Sequence, residues 1–173
     1  MPFLSVSHRL AAYTAWADDV MLRNAEQVSE AELGAPRDTL FKSIAGTFDH
    51  TLVVAEIFRA HLEGKPHPHT ARFRSETLPF SEVAERLRAI NRYFVEAVQS
   101  WSEDTLSESV SFDFVDGGKG KMSREEILLH LANHATYHRG FVSVLLFPHC
   151  IKTAPTDLTV FLRDVWPKME EEV

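Results

Sequence analysis

Three scarcities narrow the reading at the outset. The 173-residue chain has one cysteine, Cys150. An internal disulfide and a multi-cysteine metal site are therefore excluded. No apolar run approaches the roughly 18 residues that a membrane-spanning helix needs, so no span is expected. Basic residues are the third shortage. Eighteen Lys and Arg stand against 25 Asp and Glu, giving a net charge of −7 and a sequence pI of about 5.7. Nucleic-acid binding depends on clustered cations, and this balance argues against it. Residues 1–10 carry no basic stretch ahead of an apolar one, so no secretory leader is expected and a cytoplasmic protein is the simplest expectation.

Several catalytic signatures are missing too. Glycine-rich phosphate loops and G-x-S-x-G do not occur. No Glu-x-x-His exists, which removes the di-iron bundle pattern. H-E-x-x-H is absent because Ala135, Thr136 and Tyr137 separate His134 from His138. A zinc protease would lack its general base.

What remains is an ordinary globular composition, 45% hydrophobic and 25% charged. The length suits one compact domain over residues 1–173, with no repeat or linker to divide it. Helical spacing of three and four recurs in four long segments. The first predicted helix runs from Ser5–Ser7 to Val28, on Leu10, Tyr13, Ala17, Val20 and Met21. The loop at Gly34-Ala35-Pro36 follows it. The second runs from Phe41–Ser43 to Leu62, with Gly64 as its stop. It carries two stripes, one of Ile44, Phe48, Leu52 and Ala55, the other of Thr47, His50, Val54 and Ile57, and so is contacted on more than one side. The third starts at Ser81 as N-cap and reaches Trp101. The fourth starts at Ser123, where Ser123-Arg124-Glu125-Glu126 fits a capping box, and ends near Leu146 before Pro148. A shorter fifth helix is expected after Thr156, with Pro167 ending or kinking it.

Between the third and fourth helices the period changes to two. Val110, Phe112 and Phe114 alternate with Ser111, Asp113 and Val115, and Asp116-Gly117-Gly118 supplies a turn. The pattern predicts an all-α, four-helix bundle with a short hairpin-like excursion before the last long helix and a short C-terminal helix. The extended excursion also points away from a plain up-and-down meander.

Nine histidines are the unusual feature. His130, His134 and His138 recur every four residues on the fourth helix. Each step turns about 40°, so neighbours share a face while the row drifts about 80° from end to end. One pair, but not all three, suits a single ion. Hydrogen bonds to Tyr, Asp or water would satisfy the same buried imidazoles, so the spacing alone leaves both readings open. His50 is the best third candidate if the second helix packs against the fourth. His61 is too far along the axis to join it. His67 and His69 read as part of a solvated Pro-rich loop, and His8 carries no signal. Cys150 reads as an incidental thiol, since adjacent His149 does not face it.

Four segments together resemble a known family. Tyr13-Thr14-Ala15-Trp16-Ala17 is similar to a Y-x-x-W-A element of a first helix. Ser43-Ile44 with Thr47, His50, Leu52 and Ala55-Glu56 is similar to a second-helix pattern around one histidine. Asn133-His134-Ala135-Thr136-Tyr137-His138-Arg139-Gly140 is similar to an N-H-x-x-x-H-R-G signature, and Thr156-Asp157-Leu158 with Phe161-Leu162 to a closing segment. On these residues the chain resembles the DinB/YfiT-like metalloenzyme family over most of its length.

The resemblance implies a bundle in which His50, His134 and His138 hold a divalent ion, with His130 outside the triad. Three neutral imidazoles suit Zn²⁺ or Ni²⁺ and leave a position for water, an anion or a thiol. It further implies a metal-dependent transferase or isomerase acting with a small thiol such as glutathione, and a homodimer. Phe141 stands where many members have Gln, which puts a Gln-dependent substrate contact in doubt. The expected pocket lies near Trp16, Phe141 and the histidine row. Glu56 and Tyr13 are candidates to orient ligands or move protons, whereas Asp49 reads as an ordinary surface or packing residue. The alternatives are a non-catalytic, stress-associated metal binder with a closed site, and a plain helical interaction module.

Overall fold

The computed structural model describes residues 6–171. Helix α1 spans Val6–Ala25, α2 Glu30–Gly34, α3 Ile44–Glu63, α4 Phe80–Ser100 and α5 Glu103–Ser107. Strands β1 (Ser109–Asp113) and β2 (Lys119–Ser123) follow, then α6 (Arg124–Leu146), a 3₁₀ turn (Phe147–His149), α7 (Leu158–Asp164) and α8 (Trp166–Glu171).

Local chemistry sets most of these ends. Ser43 accepts from the Gly46 amide to start α3, and left-handed Gly64 (φ 63°) ends it. Ser123 and Glu126 form both halves of the capping box that starts α6. Other ends differ from the sequence expectation. The expected start at Ser5 lies outside the described residues. Helix α1 stops at Ala25 rather than Val28, because Ser29 caps a separate turn, α2, by accepting from the Glu32 amide. Helix α4 begins one residue before Ser81, with Pro79 as its cap and the Phe80 amide donating to the Glu30 carboxylate. Asp157, not Thr156, precedes α7. Pro167 does not end the helical region but lies in the first turn of α8, where a missing N–H costs nothing.

The four long helices close a ring. Helix α1 packs against α4 and α6, and α3 packs against the same two. The first two long helices therefore lie diagonally across the bundle, and the topology is not a plain meander. Each contributes a fully enclosed side chain to one core: Leu22, Leu52, Leu87 and Ile127. The hairpin pairs antiparallel, with Ser109 opposite Ser123 and Asp113 opposite Lys119. It leans on α3 and α6 and so walls the groove between them. Among the described residues, no helix is long and apolar enough to cross a membrane.

Candidate metal centre

Helices α3 and α6 bring His50, His134 and His138 together. One nitrogen from each lies within 4.8 Å of the others. The ring centroids stand 4.9 Å (His50–His134), 4.7 Å (His50–His138) and 4.4 Å (His134–His138) apart. The four-residue step on α6 supplies the pair, and the contact of α3 with α6 supplies the third.

Hydrogen bonding sets the ring states. Nδ1 of His50 lies 2.7 Å from the Arg72 carbonyl oxygen. A carbonyl only accepts, so Nδ1 carries the proton and Nε2 presents its lone pair to the cluster. That Nε2 lies 3.0 Å from Nε2 of His134. Nδ1 of His138 is buried with no hydrogen-bond partner. Burial first, then the neighbouring imidazoles, pushes His134 down to about 3 and His138 down to about 4. Burial also lowers His50, against the opposing effect of its carbonyl partner. All three rings are neutral at neutral pH. Convergent neutral nitrogens, one of them buried and orphaned, are a poor self-contained hydrogen-bond network and a good donor set for a borderline divalent cation.

Two surroundings of the cluster go beyond the sequence expectation. Phe41 stacks on His50 at 4.0 Å and 12° and meets His138 edge-on at 5.4 Å. Gly46, in the first turn of α3, permits the close approach of this segment, since a Cβ there would stand 2.1 Å from the Phe41 carbonyl oxygen. The segment that carries Arg72 is clamped by Arg74, which bonds buried Asp49 and, at 2.7 Å, Glu56. Asp49 is thus an internal ion-pair residue rather than a surface one. The one hint in the sequence is that Asp49 and Glu56, seven apart, share a face of α3.

The remaining candidates separate from the cluster. His130 lies on the cleft wall beside Phe58, 4.9 Å between ring centroids, and contributes no atom to the donor group. His61 stacks on Phe112. His67 and His69 are not solvated as expected. His69 bonds Glu56 at 2.8 Å, and Nδ1 of His67 is buried. Glu56 gathers His69, Arg74 and Arg86 instead of reaching the rings. Tyr13 donates to the Thr156 carbonyl and accepts from Arg139, tying α1 to the C-terminal segment. Trp16 packs with Tyr13 and Phe161 in a small second cluster. Neither Trp16 nor Phe141 lines the histidine cleft. Helix α1 lies across the bundle from α3, and Trp16 goes with it. Cys150 is exposed and also lies outside the cleft.

The histidine cleft measures about 970 Å³. Helices α3 and α6, the hairpin and the segments around Phe41 and Phe73 enclose it, with the three rings at its inner wall.

Comparisons with known proteins agree with this architecture. A sequence model described as the DinB family matches residues 4–164. "Protein DinB" of Bacillus subtilis (strain 168) is 23% identical over 162 residues, covering 89% of this chain and 92% of its own. A crystal structure of a DinB-like protein from Bacillus cereus (ATCC 10987) superposes with a TM-score of 0.61 at 22% identity, covering 83% of this chain and 91% of that one. At that identity the superposition speaks to the fold alone.

Proposed function

The chain belongs to the DinB family, and on that premise we propose that His50, His134 and His138 hold one Zn²⁺ or Ni²⁺ ion in a metal-dependent transferase or isomerase that acts with a small thiol. The observation that carries the reading is the convergence of three neutral ring nitrogens within 4.8 Å on the wall of a large cleft. When bound, such an ion supplies Lewis acidity and lowers the pKa of a coordinated water or thiol.

The chain's own residues do the rest. The Arg72 carbonyl fixes the His50 tautomer and ring orientation. Phe41 covers one face of His50 and keeps water from that side. The cleft receives the reacting molecule beside the rings. A closed, non-catalytic site needs a fourth protein ligand, and the neighbouring histidines His130 and His61 stand outside the donor group. The reading extends to one domain over residues 1–173, a cytoplasmic location and a homodimer. An exposed apolar row on and just beyond α6 (Leu129, Val144 and Phe147) supports the dimer.

Elemental analysis of the untagged protein tests the metal site. About one divalent ion per chain is expected, lost in His50→Ala, His134→Ala and His138→Ala and kept in His130→Ala. No stoichiometric metal after Zn²⁺ or Ni²⁺ is supplied would sink the reading. Thiol transfer is then assayed on the loaded protein, and no turnover with any of a panel of small thiols would leave a metal binder without the proposed activity.

A further inference from the structure

The cleft beside the histidines presents mostly one kind of surface. Phe41, Phe58, Phe73, Phe112, Phe114 and Tyr137 line it. Three of these rings are open to water, with Phe73 58%, Phe114 47% and Tyr137 74% exposed. Large rings left exposed around a concavity mark a binding surface more often than a packing fault. They come from separate parts of the chain. The hairpin supplies Phe112 and Phe114, the segment before α4 supplies Phe73, and α6 supplies Tyr137. A volume of about 970 Å³ admits a molecule of several rings.

The charges on the cleft point the same way. Arg72 is its only Lys or Arg, and Asp116 engages that guanidinium at 3.6 Å. Asp113 adds a second carboxylate, paired with Lys119 on the outer side of the hairpin. In the metal-free cleft an anionic ligand would meet a lining of two carboxylates and one cation that is already engaged, whereas a bound divalent ion would add positive charge.

We propose that this cleft binds a neutral small molecule bearing aromatic rings, as the apolar substrate of the reaction, and that its lining, without a bound ion, discriminates against anions. As a statement about substrate it rests on the metal-centre reading above, but the binding surface does not need the ion. A transferase that uses a thiol requires a second reactant, and the ring-lined part of the cleft is suited to that partner.

Two fluorescent probes that differ by one sulfonate test this directly. N-phenyl-1-naphthylamine is neutral, and 8-anilinonaphthalene-1-sulfonate carries the charge. Each is titrated into the full-length protein at neutral pH, before and after chelator treatment. After chelator treatment the neutral probe should bind at least about tenfold more tightly than the sulfonate. Phe73→Asp and Phe114→Asp should each weaken it by about tenfold, whereas Val6→Asp, at an exposed residue outside the cleft, should not. Asp116→Asn frees Arg72 and should narrow the preference by tightening the sulfonate. Equal or tighter binding of the sulfonate by the chelator-treated protein without substitutions overturns the proposal. So does a loss in Val6→Asp matching that in Phe73→Asp, or a preference unmoved by Asp116→Asn. Metal content measured on the same samples keeps the two readings apart. Probe binding by a protein that takes up no metal overturns the metal centre and the substrate role and leaves the binding cleft, and metal without probe binding overturns only the cleft.

Discussion

His50 and Arg72 are joined by one hydrogen bond of 2.7 Å, from ring Nδ1 to the main-chain carbonyl oxygen. The ring's tautomer therefore depends on the position of a peptide unit 22 residues away in sequence. That peptide has little regular structure to hold it. Arg74, two residues on, fastens it to α3 through Asp49 and Glu56. Arg74→Ala should weaken metal retention by about 10- to 100-fold, the usual cost of losing an outer partner of a ligand. Arg74→Lys should recover part of it. Competition with a chromophoric chelator measures the affinity, and circular dichroism checks that the helices persist. An unchanged affinity in a folded Arg74→Ala protein would show that the clamp and the ring are uncoupled.

Acid should loosen the metal-free protein in a defined window. In the folded chain His134 titrates at about 3 and His138 at about 4, against 6.5 for an ordinary imidazole. Between these values the unfolded chain binds more protons than the folded one, so stability rises with pH. The contribution is complete above pH 6.5 and is lost as pH falls through 4 toward 3. Asp49, whose pKa burial raises, acts in the opposite sense. Urea midpoints of the apoprotein should be flat above neutrality and decline below pH 6.5. His134→Ala should reduce the slope and so isolate the imidazole share. Equal slopes in the two proteins would count against neutral buried rings.

The parts of this molecule legible in the sequence are those with local causes. Ser43, Gly64, Ser123 and Glu126 cap or end helices by bonds within a few residues, and those ends fall where the pattern places them. The alternation around Phe112 and the two glycines with positive φ, Gly117 and Gly118, likewise write the hairpin. One end that moved, the start of α4, has a partner far along the chain, where the Phe80 amide meets Glu30. The same divide runs through the site. The spacing of His134 and His138 is a property of one helix, but His50 joins them only because α3 packs on α6. The apparently solvated His67-Pro68-His69 segment lies down on the protein because Glu56 offers it an acceptor. Trp16, legible as a motif residue, was misplaced beside the site because spacing does not reveal which helices lie diagonally.

A second buried network fixes the other side of α6. Arg139 donates to Asp18 at 2.8 Å, to the Tyr13 hydroxyl at 3.0 Å and to Thr136 at 2.7 Å. Asn91 donates to the second Asp18 oxygen at 2.9 Å, bringing in α4. The side chains of Arg139 and Asp18 are only 5% and 4% exposed. Arg139→Ala strands a buried carboxylate and should cost about 3–5 kcal/mol. Replacing both, as Asp18→Leu with Arg139→Met, should cost less than the sum of the single changes, because no lone charge remains. Urea denaturation of the four proteins measures this. Additive costs would mean that the two groups do not act as a pair.

The outward face of α6 bears on assembly. Leu129, Asn133, Gly140 and Val144 are spaced by four, seven and four residues, and Phe147 follows three later. These intervals keep them within about 60° on the helix. Leu129 is 54% exposed, Val144 68% and Phe147 80%, while nothing stands within 4 Å of where a Gly140 Cβ would lie. Bulky residues flanking a bare glycine suit close approach of a second helix, and a two-fold axis would present the same strip to itself. If that strip forms the homodimer, the protein should scatter light as twice its 19.6 kDa mass at micromolar concentration. Val144→Glu with Phe147→Glu should reduce it to the monomer, with metal content and helicity unchanged. Neither position touches the core, so a loss of fold would not be the expected route to that result. A wild-type chain that stays monomeric would remove the dimer from the proposal, and a dimer that survives both glutamates would place its interface on another face of the bundle.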